Sequence, residues 1–261
     1  MVNLQKKARA VYCIGLAGMV LPQFYYGKFG GNFLPPWPGL PWVPLWAGLF
    51  TVVVLAACVA IVLEIKGRTA ALLLAGLLLA MTIFGGLPYE LFIDPEHGHA
   101  IYWAGLLSGL AITGGAFVVA GSFMEEAVVN ESPVLRFLER LVPFGGVGFC
   151  ITMIGYGYFH FLYPSLILSL FPHWIPFQLF WTYVAGAALM LCGLAVVFRV
   201  RVKLAGILLG AMIFSWLFLI HIPLAIADPW GNDAFQVIRI FGALAFTATA
   251  FLISRTADEK G

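Results

Sequence analysis

The stretch "GYGYFHFLYPSLILSLFPHWIPFQLFW", Gly155 to Trp181, sets His160 and His173 among phenylalanine, tyrosine and tryptophan. A third histidine, His221, comes later in "FLIHIPLAIADPW", and Glu90 stands just after "GGLPY". Ionisable residues inside apolar segments are rare and mark functional sites by default. Burial disfavours charged imidazole, and a neutral ring offers one donor and one acceptor. That chemistry suits a quinone carbonyl, a carboxylate or a metal. A cleft lined by His160, His221, Tyr156, Tyr163 and Glu90 is an aromatic, weakly polar pocket suited to a quinone or a lipid. The competing structural reading has His160 bonding a headgroup or a carbonyl, and His221 bonding a carbonyl freed by Pro223. Bis-histidine haem is disfavoured, because neither a second histidine pair nor a cytochrome-type pattern is present. The cofactor is therefore left open, with quinone as the fitting candidate. His97 and His99, with Asp94 and Glu96, read as an ordinary polar turn. Arg239 is expected to snorkel outward or to pair with Asp228, Asp233 or Glu90.

The elements that must hold these residues are membrane helices. The chain has 261 residues, of which 62% are hydrophobic and only 10% charged, with a mean hydropathy of +0.99. Soluble domains carry about 25% charged residues. A net charge of +2 gives no basis for nucleic-acid binding. Eight continuously apolar runs are long enough to span a bilayer, at 10–27, 43–64, 69–89, 100–121, 144–163, 177–198, 203–226 and 235–254. Their unbroken apolarity predicts helices rather than the alternation of a β-barrel. With eight spans, 12 of the 14 Lys and Arg fall on the side of both termini. That bias places the termini in the cytoplasm, and the first run reads as an uncleaved helix. Cys13, Cys58, Cys150 and Cys192 all sit in spans without C-x-x-C or metal-ligand spacing, and read as small core residues. No G-x-x-x-x-G-K-[ST], G-x-S-x-G or H-E-x-x-H occurs.

The halves repeat. A shift of 135 residues lays Trp46 on Trp181, Pro88 on Pro223, and "GRTAALLLAGLLLAMTIFGGLP" beside "VRVKLAGILLGAMIFSWLFLIHIP". The expected fold is all-α and polytopic, with eight transmembrane helices as two parallel four-helix repeats. The first unit is 1–123 and the second 144–261. Between them, 124–143 is a linker whose residues 133–141 form a short amphipathic surface helix. Under the same shift Tyr25 meets His160 and Gly86 meets His221, so the histidine pair belongs to one copy only.

"GYGYFHFLYP", then "PHWIPFQLFWTYVAGAALMLCGLAVVF", a basic turn and "KLAGILLGAMIFSWLFLIHIP" resemble the DoxX-like family of four-helix bacterial membrane proteins. The likeness is best over 147–254, and "KGRTAALLLAGLLLAM" (66–81) resembles the same helix turn in the first half. The resemblance implies a bacterial inner-membrane location and a loose link to oxidoreductases, as an anchoring or accessory subunit of a quinone-linked complex. It carries no catalytic residue across, and whether the chain is itself an enzyme stays open. The expected partners are the bilayer and other subunits of a membrane complex. The alternatives are a non-catalytic structural subunit of a respiratory or photosynthetic assembly and, ranked last, a small-molecule or lipid transporter, since the helix centres lack polar or broken segments.

Overall fold

The computed structural model describes residues 2–123 and 132–256. Helix α1 covers Val2–Tyr26, α2 Val43–Val62, α3 Gly67–Phe92 and α4 Ala104–Gly121. Then come α5 (Pro133–Leu141), α6 (Gly145–Leu162), the single turn α7 (Pro164–Leu168), α8 (Gln178–Val197), α9 (Val202–Ala227) and α10 (Gly231–Thr256). Among the described residues seven segments are long and apolar enough to cross a membrane. Helix α1, which holds the expected span 10–27, is not one of the seven. It carries Arg9, Pro22 and Gln23, which dilute its apolarity. Its Tyr12, Leu16 and Val20 are nonetheless fully buried while Ile14, Leu21 and Phe24 are exposed, so one face of it packs into the bundle and the other faces outward.

Neighbouring helices form a closed ring in the order α1, α2, α3, α4, α6, α8, α9, α10 and back to α1, with α4 also touching α10 across the centre. Apart from α5 on α3, every neighbour of the ring in the first half has a counterpart in the second. Most irregular points of the backbone recur with the same 135-residue offset, the exception being the left-handed Asn232, Asp233 and Ala234 that kink the start of α10. Residues with left-handed φ stand at Trp42, Glu64 and Lys66 (58°, 58°, 48°) and at Phe177, Arg199 and Arg201 (54°, 58°, 46°). Such a conformation costs a non-glycine residue about 1–2 kcal/mol, so its recurrence at three matched places is a property of the turns themselves. Helices α3 and α9 each contain a π-segment, Met81–Gly86 and Leu217–His221. Each is followed by a proline, Pro88 or Pro223, which removes a backbone donor and blocks the regular i to i−4 ladder.

Lipid gives helices no hydrophobic reason to associate, so close backbone packing must hold them together. A Cβ on Gly157 would lie 2.6 Å from the Gly186 carbonyl, and one on Gly186 would lie 2.9 Å from the Gly157 carbonyl. The α6–α8 crossing therefore requires glycine on both sides. Gly114 and Gly145 make the same reciprocal contact between α4 and α6, at 2.6 and 2.8 Å. Polar anchors add to it. Tyr12 Oη donates to the Ile112 carbonyl at 2.6 Å, and Thr152 Oγ1 to the Leu107 carbonyl at 2.7 Å. All four cysteines are buried, and Cys13 meets Cys58 across α1 and α2.

The basic end of the bundle is tied by ion pairs. Arg9, 5% exposed, reaches Glu64 at 2.6 Å and the Ser122 carbonyl at 3.0 Å, and its guanidinium lies 4.0 Å from the Phe123 ring centre. Lys6 meets the other Glu64 oxygen at 2.7 Å. These two cations hold the Glu64 carboxyl below the usual carboxylate range, Lys6 having the larger effect. Helix α5 is the expected amphipathic segment. Its N-terminus is capped by Ser132 Oγ, which accepts from the Leu135 amide at 3.3 Å. Leu138 packs on Gly76 of α3, and Glu139 pairs with Arg68. Residues 124–131 of the expected linker lie outside the described residues.

Candidate functional site

The histidines sit far from the basic turns. Lys203 opens α9 and His221 lies 18 residues on, about 27 Å along the helix at 1.5 Å per residue. His160 stands near the other end of α6 from Gly145. It is 9% exposed, its Nδ1 lies 2.8 Å from the Tyr156 carbonyl one turn earlier, and its ring stacks on Trp216 of α9 at 6.1 Å between centroids. Both the hydrogen bond and the ring face are thus used within the fold, as the structural reading of this residue required. Tyr163, where α6 ends, makes an edge contact with Phe159 at 6.2 Å.

Buried polar atoms without a partner among the described residues belong to α9 and α10 of the second half. His221 Nδ1 is buried without a partner among the described residues, as is Gln236 Oε1, so Nδ1 does not make the carbonyl bond expected of His221. Arg239, one turn after Gln236 on α10, interacts electrostatically with both His221 and Tyr156. Its guanidinium lies 5.5 Å from the Phe235 ring centre, and it is half-buried. None of the three acids expected to neutralise it does so. Asp233 pairs with Lys28, Asp228 caps its own turn by accepting from the Gly231 amide at 2.9 Å, and Glu90 lies in the other half. Tyr156 Oη donates to the Ala104 carbonyl at 3.1 Å and meets Ser108. Four helices, α4, α6, α9 and α10, therefore bring Ser108, Tyr156, His221 and Arg239 toward one region, and Gln236 stands one turn before Arg239. Its chemistry is that of a cationic donor with accessory hydrogen-bonding groups. A desolvated guanidinium demands acceptor oxygens, so the region suits a carbonyl or an anionic oxygen ligand.

Glu90 does not join this cleft. It is 5% exposed and lines a separate cavity of about 10 Å³, the size of one water, with Asn32, Thr82 and Gly86. Its Oε2 has no partner, and both polar atoms of nearby Gln23 are likewise buried alone. The cleft composed from sequence is thus divided. His160, His221 and Tyr156 share one end of the second half, while Glu90 belongs to the first. The residues missed were Gln236, Ser108 and Trp216. Gln236 and Arg239, spaced i and i+3 in an apolar helix, were the available signal.

In the polar turn, Glu96 N donates to Asp94 Oδ1 at 2.8 Å, His97 Nδ1 lies 2.7 Å from the Asp94 carbonyl, and Trp103 Nε1 donates to the His97 carbonyl at 2.9 Å. These bonds make it a self-contained turn. Among the described residues no group of three or more His, Cys, Asp or Glu is placed to hold a metal ion. Comparison with family models, curated proteins and solved structures finds no match to this chain.

Proposed function

We propose that the chain is a DoxX-like accessory subunit of a bacterial inner-membrane redox complex, holding a quinone-type carbonyl ligand at the far end of its second half. One observation carries this reading. Arg239 is half-buried with no acidic partner among the described residues, it interacts with His221, whose Nδ1 is orphaned, and Gln236, whose Oε1 is orphaned too, stands one turn before it. Quinone oxygens are acceptors that a guanidinium and an imidazole N–H satisfy, and the flanking aromatic rings suit a flat head group. Arg239 also favours the anionic forms of such a ligand. In this reading His160 is a positioning residue, holding Trp216 by stacking.

The reading includes eight spans, with α1 as the eighth, arranged as two parallel repeats with both termini cytoplasmic. The matched left-handed residues, the paired π-segments and the symmetric ring of neighbours support duplication. The clustering of Lys and Arg at one end supports the orientation. Titration of the detergent-solubilised protein with a short-chain ubiquinone analogue tests the site. Arg239→Ala and His221→Ala should each weaken binding by about tenfold or more, the worth of one charge-assisted bond, while His160→Phe should leave it nearly unchanged. Equal binding by all four proteins would eliminate the site.

The purely structural subunit remains the second reading. Trp42, Phe177 and Trp230 are 75%, 81% and 74% exposed at the far end, and such a collar can seat a neighbouring subunit as well as a headgroup layer. Stoichiometric recovery with a large complex and no quinone would favour it.

A further inference from the structure

In the first half a buried acid stands where the second half is apolar. Glu90 is 5% exposed, and its Oε2 has no hydrogen-bond partner among the described residues. Its match, 135 places on, is Ala225. The same offset sets Thr82 on Leu217, Gly105 on Ile240 and Gly109 on Leu244. Helices α4 and α10 end 135 residues apart, at Gly121 and Thr256, so the match holds for this pair as well. A carboxyl, a hydroxyl and two glycines thus occupy one copy where four apolar side chains occupy the other.

These four residues surround the water-sized cavity beside Glu90, together with Gly31 and Asn32 of the loop before α2. The glycines let that loop approach. A Cβ on Gly105 would lie 3.0 Å from the Gly31 carbonyl oxygen, and one on Gly109 would lie 2.9 Å from that of Asn32. Neither carbonyl accepts a backbone hydrogen bond among the described residues. Trp37 holds the loop against α3, its Nε1 donating to the Gly85 carbonyl at 3.0 Å. Thr82 Oγ1 donates to the Leu78 carbonyl at 2.9 Å, so lone pairs are what it has left for the cavity. The wall therefore gathers oxygen acceptors from a loop and a helix around one acid.

The charge around Glu90 is negative. Asp94, one turn on, adds its field to that of Glu90. Lys28, the one cation of the chain between Arg9 and Lys66, is taken by Asp233. An ionised carboxylate buried alone is costly. A water would offer two protons to these oxygens and leave the charge in place, whereas a small cation meets them together and neutralises it. Carboxylate and carbonyl oxygens suit hard cations, and irregular backbone within membrane proteins coordinates sodium elsewhere. A cavity of about 10 Å³ has room for one water, and so for one bare ion of smaller radius. A single carboxylate on the wall matches a single positive charge. Gly31 is exposed, so the cavity lies just under the surface.

We infer that this cavity binds one sodium ion through Glu90, Thr82 and the Gly31 and Asn32 carbonyls. The ion ties the loop before α2 to α3 and α4. The inference is independent of the quinone reading, whose Arg239 and His221 belong to the other half.

Binding of radiolabelled sodium chloride to the full chain in neutral detergent, read by scintillation proximity with ionic strength held by choline chloride, tests it. The expected result is saturable binding of one ion per chain, displaced by unlabelled sodium chloride and not by choline chloride. Glu90→Gln, which keeps the shape and removes the charge, should weaken binding by about tenfold or more. Thr82→Val, which removes only the hydroxyl, should weaken it several-fold. Should Glu90→Gln fail to fold, Thr82→Val and Gly109→Ala decide, the latter placing a methyl group against both the Asn32 carbonyl and Thr82. No saturable binding by the wild type, which would leave a water beside a neutral Glu90, or equal binding by wild type and folded variants, would overturn the proposal.

Discussion

Removing Arg68 should loosen α5 and the end of α4 together. Its Nε and Nη2 grip Glu139 side-on at 2.8 and 2.7 Å, while Nη1 donates to the Ala120 and Phe123 carbonyls at 3.1 and 2.9 Å. The Ala120 carbonyl belongs to the last turn of α4 and the Phe123 carbonyl lies just past its end, where a cation also complements the helix dipole. Both side chains of the pair are mostly buried, at 18% and 24% exposure, so the small worth of a surface ion pair does not apply. Hydrogen bonds to charged groups are worth about 1.5–3 kcal/mol each, and truncating one partner strands the other. These contacts share one side chain and do not add. Arg68→Ala should therefore cost about 3 kcal/mol, Glu139→Ala about 2 kcal/mol, and the double variant clearly less than their sum. Arg68→Lys, which keeps the charge and loses the fork, should fall between wild type and Arg68→Ala. Denaturant-induced unfolding in mixed micelles reads the stability. Protease sensitivity near 132–141 reads the docking of α5. Losses below about 0.5 kcal/mol, or strict additivity of the two alanine substitutions, would refute the reasoning.

At the α6–α8 crossing Gly157→Leu must push the helices apart, because even a Cβ there lies 2.6 Å from a carbonyl; overpacking of this kind costs about 1–3 kcal/mol, visible as a lower melting temperature. Glu64 has its carboxyl depressed by Lys6 and Arg9. Its stabilisation should thus be complete above the unfolded value near about 4.3, and vanish as pH falls through the lower folded value. The melting-temperature gap between wild type and Glu64→Gln should close with acidification. His160→Ala should lower stability by about 1 kcal/mol through the lost Trp216 stack and hydrogen bond, whereas Arg239→Ala, which removes a half-buried cation with no acidic partner among the described residues, should leave stability level or raised in ligand-free protein.

The helix boundaries were legible because apolar run length and basic turns both bear on them. The run 43–64 corresponds to Val43–Val62 and 177–198 to Gln178–Val197. Helix 133–141 was legible from its amphipathic spacing alone. Less legible was anything depending on helix rotation. His160 and His221 were drawn into one cleft by their similar distance along α6 and α9, and Glu90 was added from the other half, but depth does not say which way a side chain points. The π-segments before Pro88 and Pro223 rotate the last turns of α3 and α9 about the helix axis, and linear periodicity carries no sign of that rotation. The Gln236–Arg239 face was overlooked because both residues lie near a helix end, where a long polar side chain has an ordinary interfacial explanation. Their lack of partners becomes apparent only once Asp233 is seen on Lys28 and Asp228 on its own turn.

The most direct measurement is extraction of tagged wild type and Arg239→Ala from their native membrane into nanodiscs, with quantification of quinone and of co-purifying subunits. The account predicts near-stoichiometric quinone and redox subunits with the wild type. It also predicts the same subunits but several-fold less quinone with Arg239→Ala. Quinone at background in both, or at equal levels in both, would contradict the assignment of the site.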